Sequence, residues 1–225
     1  MERWRGGLTA VRAAALTAAL LGAAAGLGGC GGDADQRDEP PFLAFGCGEG
    51  QRFLAFFAGP DTARLVAPDG IHTLVRVRSA SGARYAGGAD TLWTKAPQAL
   101  LIRGGRTLHG CEPTGRQRVL ADLWREGAVF TAAGNEPFWT LTAWPDSLVL
   151  LLDLGATRLR QDLGPGRRWE RAAVGWADSS AGITVRAEPG PCLDTMSGEP
   201  FPWRVSVRWR EREFSGCGLD LGPRI

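Results

Sequence analysis

The chain has 225 residues, with 26 basic and 24 acidic side chains and a formal net charge of +2. That balance, with no basic stripe, argues against nucleic acid as a partner. Only two histidines are present. There is no CxxC pair, GxSxG, HExxH, P-loop or dinucleotide fingerprint, so no metal, cofactor or familiar enzymatic chemistry is expected.

The first 29 residues read as a targeting segment. Arg3, Arg5 and Arg12 give it a positive start, and residues 13–26 contain only Ala, Leu, Gly and one Thr. This apolar run is shorter than the roughly 20 residues a membrane-spanning helix needs, but it suits the core of a cleavable signal peptide. The following Leu27-Gly28-Gly29-Cys30 resembles the lipobox of bacterial lipoproteins, which implies cleavage before Cys30 and lipidation, including palmitate, of its thiol. Residue 31 is Gly and not the Asp that favours inner-membrane retention, so the resemblance implies the outer membrane, facing the periplasm. Residues 30–41 carry the lipidated cysteine and a polar tether that cannot bury a core. Without residues 1–29 the chain holds 23 basic and 23 acidic side chains.

Four cysteines remain, Cys47, Cys111, Cys192 and Cys217, an even number that fits an oxidising compartment. Three pairings are possible, and the spacing favours Cys47 with Cys111 and Cys192 with Cys217, one staple per domain. Two domains are expected, at 42–112 and 128–219, with 113–127 as a polar linker in which Trp124 to Gly127 could form a short helix.

From residue 53 to residue 111, short apolar runs alternate with turn residues such as Gly59-Pro60-Asp61 and Pro68-Asp69-Gly70. Strands every 8–12 residues with such turns predict a small antiparallel β-barrel or sandwich. Within it stand Ser79-Ala80-Ser81-Gly82-Ala83-Arg84-Tyr85, then Trp93-Thr94-Lys95, flanked by Cys47-Gly48 and Cys111. Over about residues 42–112 this set resembles the membrane-bound inhibitors of c-type lysozyme. The resemblance implies a β-barrel that plugs the lysozyme cleft, with Ser81 and Lys95 bonding the two catalytic carboxylates. Gly82, Ala83, Arg84, Tyr85 and Trp93 complete the implied lysozyme-binding set. The partner is then a c-type lysozyme, with the membrane reached through Cys30.

Lys95 is the only lysine in a chain with 25 arginines, so a compact ammonium stands at this one position. A hairpin with a three-residue loop at Gly87-Gly88-Ala89 would pair Ala86 with Asp90 and set Ser81 opposite Lys95, about 5 Å apart. A slip of one residue would place Gly82 there instead. After the lysine this chain has Ala96-Pro97-Gln98, where the family usually has Gly and an acidic pair.

The second segment also reads as strands, at 140–143, 147–152, 182–187 and 203–209. In the last, Trp203, Val205, Val207 and Trp209 alternate with Arg204, Ser206, Arg208 and Arg210, the pattern of a strand with one wet face. Gly134-Asn135-Glu136-Pro137-Phe138-Trp139 and Cys192-Leu193-Asp194-Thr195-Met196-Ser197-Gly198 resemble a domain of unassigned function in envelope lipoproteins. Glu136 and Asp194 could form a carboxylate pair; alternatively Glu136 caps a turn and Asp194 bonds nearby backbone. The expected whole is an all-β, non-enzymatic lysozyme inhibitor: a barrel, then a second β-rich domain, after a signal peptide and tether. Two rivals remain: a structural envelope lipoprotein without inhibition, and a hydrolase using Ser81 and a buried Lys95 as a dyad.

Overall fold

The computed structural model describes residues 39–163, 176–178 and 182–222. The expected signal peptide, lipidated Cys30 and most of the expected tether lie outside the described residues. No described helix is long and apolar enough to cross a membrane.

Eight strands, β1 (Phe42–Gly46), β2 (Arg52–Phe57), β3 (Thr62–Ala67), β4 (Gly70–Val77), β5 (Ala83–Gly87), β6 (Asp90–Lys95), β7 (Gln98–Arg103) and β8 (Arg106–Pro113), follow one another around a closed antiparallel barrel. Closure pairs the end of β1 with the end of β8, at Phe45 with Pro113 and Gly46 with Glu112. Inward positions carry Phe45, Phe53, Leu65, Leu74, Leu92 and Leu101, which form one core. The Cys47–Cys111 disulfide ties the β1–β2 turn to β8 across a sequence separation of 64. In such a loop a staple acts mainly on the unfolded chain, by roughly 4 kcal/mol in the entropic description.

The second half is an eight-stranded antiparallel sheet made of β9 (Phe130–Asn135), β10 (Phe138–Ala143), β11 (Ser147–Leu152), β12 (Thr157–Asp162), β13 (Trp176–Asp178), β14 (Ile183–Leu193), β15 (Pro200–Trp209) and β16 (Arg212–Asp220). Its spatial order is β12-β11-β10-β9-β16-β15-β14-β13. Trp139, Leu141, Leu148, Leu150, Val207 and Phe214 fill its core. The alternation read at 203–209 holds: Val205 and Val207 are buried, Trp203 and Trp209 pack on the core, and Arg204 and Arg208 are exposed. The second disulfide joins Cys192 to Cys217.

The segment 113–127, expected as a polar linker with room for a short helix at its end, is mostly helical. It holds a helix, α1 (Gly115–Arg125), that buries Leu120, Ala121 and Trp124. These residues join Phe42, Leu54 and Val66 of the barrel with Phe201, Leu219 and Leu221 in a single shared core. Residues 35–225 are accordingly one compact unit. Helix α1 also completes the part of β1 that β8 does not reach. Gln117 Oε1 accepts from the Ala44 N–H at 2.8 Å, Gln117 Nε2 donates to the Phe42 carbonyl at 3.4 Å, and the Thr114 N–H donates to the Ala44 carbonyl at 3.0 Å. An ion cluster reinforces the seam: Glu199, 6% exposed, pairs with Arg52 of β2 at 3.1 Å and with Arg116 of α1.

Candidate functional site at one end of the barrel

Antiparallel order puts the β4–β5 and β6–β7 connections at the same end of the barrel. The first contains residues 79–82 and the second Ala96 and Pro97. Ser81, Gly82 and every residue from Lys95 to Gln98 are exposed, so this end is not covered by other described residues.

The hairpin register differs from the expected one. Tyr85 pairs with Leu92, Ala86 with Thr91 and Gly87 with Asp90, around a two-residue Gly88-Ala89 turn. The barrel interior selects this pairing. Directly opposite residues share a face, and Tyr85 and Leu92 are both buried. The expected register would have set buried Tyr85 against Thr91, which lies on the other face. Ala83 consequently pairs with Thr94. Lys95 falls beside Gly82 rather than Ser81, with the Gly82 Cβ position 3.3 Å from Lys95 Cβ. Gly82 has φ +66, and a Cβ there would lie 2.3 Å from the Thr94 carbonyl oxygen, so no other residue fits this approach.

Ser81 is therefore placed by a turn and not by a strand pair. Ser79 Oγ donates to the Gly82 carbonyl at 3.1 Å, which closes the turn. The Trp93 indole N–H donates to the Ser81 carbonyl at 2.8 Å. Trp93 and Lys95, two apart on β6, lie on the outward face. The Ser81 and Lys95 side chains have no hydrogen-bond or ion-pair partner among the described residues, including each other. The dyad rival needs a buried lysine held by the serine; Lys95 is exposed.

Tyr85, expected in the lysozyme-binding set, is 4% exposed. Its ring packs 5.6 Å from that of Phe57, and its hydroxyl donates to the Pro60 carbonyl at 3.3 Å. It braces the β2–β3 loop, which Arg76 also holds through its N–H to the Asp61 carbonyl at 2.8 Å. Arg84, partly buried, is paired with Trp93 across the hairpin, and Ala83 is partly buried. The Ala96–Pro97 peptide is cis, and Lys95 pairs with Gln98 across that turn.

At the opposite end, where the β3–β4, β5–β6 and β7–β8 turns meet, Asp69, His72, Asp90 and Arg103 form a closed set of ion pairs. Burial works against ionisation of Asp69, but its bond to His72 and the Arg103 charge outweigh it and hold the carboxyl below its usual value. These groups satisfy one another.

Beside the second sheet Asp194 does what a turn aspartate does. Its Oδ1 accepts from the Met196 N–H at 3.1 Å, the Ser197 N–H at 2.7 Å and Ser197 Oγ at 2.8 Å. Asn135 Nδ2 donates to Asp194 Oδ2 at 3.3 Å and to Thr195 Oγ1 at 2.9 Å, tying the turn to β9. Burial raises the Asp194 pKa, yet the Ser197 and Asn135 bonds and the Arg116 charge prevail and hold it below the ordinary carboxylate value. Glu136 is exposed and shares none of these bonds. The Gly134-to-Trp139 motif owes its glycine to packing: a Cβ at Gly134 would lie 2.3 Å from the Trp139 indole nitrogen.

No curated protein and no solved structure matches the chain. Residues 45–109, most of the barrel, match the family described as membrane-bound lysozyme-inhibitor of c-type lysozyme.

Proposed function

We propose that the barrel inhibits a c-type lysozyme by seating the end that bears Ser81 and Lys95 in the catalytic cleft. The observation that carries this reading is an exposed ammonium beside an exposed hydroxyl, neither engaged within the described chain. Retaining glycosidases of the lysozyme type present two carboxylates about 5 Å apart, one held protonated and one ionised. Lys95 would compensate the ionised group, and Ser81 can bond the other in either protonation state. Their joint presentation no longer depends on strand pairing: Gly82 lets the turn lie against Lys95, and Trp93 holds the Ser81 carbonyl. Gly82, Ala83, Arg84 and Trp93 frame this end, while Tyr85 supports it from inside.

Residues 42–112 carry eight basic and five acidic side chains. Long-range attraction to a basic lysozyme is therefore not the source of affinity, which must come from local fit. The same reading makes the chain a lipoprotein anchored through Cys30 in the outer membrane, facing the periplasm and shielding peptidoglycan from lysozyme, with no catalysis of its own.

Inhibition of a c-type lysozyme by residues 35–225, with Lys95→Ala alongside, tests the proposal. Removing one member of a buried charge pair costs about 2–5 kcal/mol, or roughly thirty-fold to several thousand-fold in affinity. Lys95 is exposed in the free protein, so the variant should keep its melting temperature. Wild-type protein that fails to inhibit, or a variant that inhibits equally well, would refute it.

A further inference from the structure

The two motifs of the second sheet lie outside the proposed lysozyme-binding end, and both line one groove of about 670 Å³. That volume is within the roughly 300–1,000 Å³ of small-ligand sites. Its floor is the wet face of the sheet. Arg204 and Ser206 on β15 flank buried Val205, and Arg186 and Glu188 on β14 flank buried Ala187. Towards β9 the floor narrows to Ala133, Gly134 and Gly216, where strands β9 and β16 approach so closely that a Cβ at Gly216 would lie 2.0 Å from the Ala133 carbonyl oxygen. One wall is the 194–198 turn, already locked by Asp194 and Asn135, so little ordering is left for a ligand to impose.

The charges around this groove are unspent. The side chains of Glu136, Arg186, Glu188 and Arg204 line it without a hydrogen bond or ion pair among the described residues. Some charges elsewhere are paired, as in Arg212 with Asp153 at 2.8 Å and Arg52 with Glu199. The register sets Glu188 opposite Arg204 and Arg186 opposite Ser206, so three of the four form one patch. Gly190, at the irregular pairing between Pro189 and Cys192, gives Arg204 its place: a Cβ there would lie 2.7 Å from the guanidinium.

We propose that this groove binds a short peptide bearing both a free carboxylate and a free ammonium group, as the stem peptides of the bacterial cell wall do. Arg186 and Arg204 take the carboxylate, for which guanidinium geometry is suited. Glu188 and Glu136 take the ammonium. The choice of wall peptide as the source rests on the lysozyme reading, which sets the chain beside peptidoglycan; the charge pattern does not depend on it.

Calorimetric titration of residues 35–225 with a stem tetrapeptide released from peptidoglycan, and with an L-peptide of equal charge, tests the assignment. Saturable binding of the stem peptide is expected, weakened about tenfold or more in Arg186→Ala/Arg204→Ala. That variant should keep its melting temperature and its lysozyme inhibition, since both side chains are exposed and neither is in the barrel. Lys95→Ala should bind the peptide as wild type does, which separates failure of the groove from failure of the lysozyme reading. No saturable binding, or binding unchanged in the double variant, overturns the site. Preference for the L-peptide overturns the wall-peptide assignment.

Discussion

Replacing Gly82 with alanine tests how the chain places Ser81, and Gly88→Ala supplies the matched control. Both glycines are left-handed, with φ +66 and +57. Each alanine variant therefore meets the same dihedral penalty, about 1–2 kcal/mol, and the same small gain from a stiffer unfolded chain. Only their surroundings differ. A Cβ at Gly88 meets nothing within 4 Å, whereas one at Gly82 meets the Thr94 carbonyl oxygen at 2.3 Å. Relieving that overlap requires the β4–β5 connection to move off β6, at a further cost of about 1–3 kcal/mol by analogy with overpacked sites. A unit of this size shifts by about 2–4 °C per kcal/mol. Gly82→Ala should thus melt roughly 2–12 °C below Gly88→Ala by calorimetry. It should also weaken lysozyme inhibition, because the displaced turn carries Ser81, while Gly88→Ala at the other end of the barrel inhibits normally. Equal melting temperatures would show that Gly82 is not packed against Thr94, and the account of Ser81 placement would fall with it. A destabilised Gly82→Ala that still inhibits fully would leave the packing intact and remove Ser81 from the mechanism.

Two other consequences concern the seam and the second domain. Glu199→Ala removes the nearly buried carboxylate that pairs with both Arg52 and Arg116, leaving Arg116 only its longer contact to Asp194 at 3.9 Å. It should lower unfolding stability by about 1–3 kcal/mol in urea titration, less than a fully buried pair would because both guanidiniums keep partial solvent contact. An unchanged midpoint would show that the ion cluster does not hold the seam. Asp194 ionises more readily folded than unfolded. Its stabilisation is therefore present above the unfolded carboxylate value of about 3.9 and is lost as pH falls through the lower folded value. Melting temperatures between pH 2 and pH 5 should fall less steeply in Asp194→Asn than in wild type, and superimposable curves would contradict this.

Much of the chain was legible without coordinates because its signals are local. Alternation at 203–209 is a property of successive residues, and so are the Gly-, Pro- and Asp-rich turns that divide the barrel strands. The cysteine pairs followed from an even count and from spacing that suggested one pair in each segment. Lys95 stood out through composition alone. The exposed pair Ser81 and Lys95 was named from its motif, and both lie at the uncovered barrel end.

What required the tertiary structure was every choice between near-equal local alternatives. Two- and three-residue turns at Gly87-Gly88-Ala89 are both plausible locally. The decision came from the barrel interior, which needs Tyr85 and Leu92 on one face. Pairing large apolar residues across the hairpin would have disclosed that register, and would have marked Tyr85 as core. Helix α1 was missed for a similar reason. Its apolar positions, Leu120, Ala121, Leu123 and Trp124, span barely a turn and a half, too little for a period to register. Its stability comes from a core shared with β1, β2 and the second sheet, whose members lie up to 179 residues apart from Phe42 to Leu221. The convergence of Glu136, Arg186, Glu188 and Arg204 on one groove is equally non-local: strand order and register bring them together, and neither is written in any single segment of the chain.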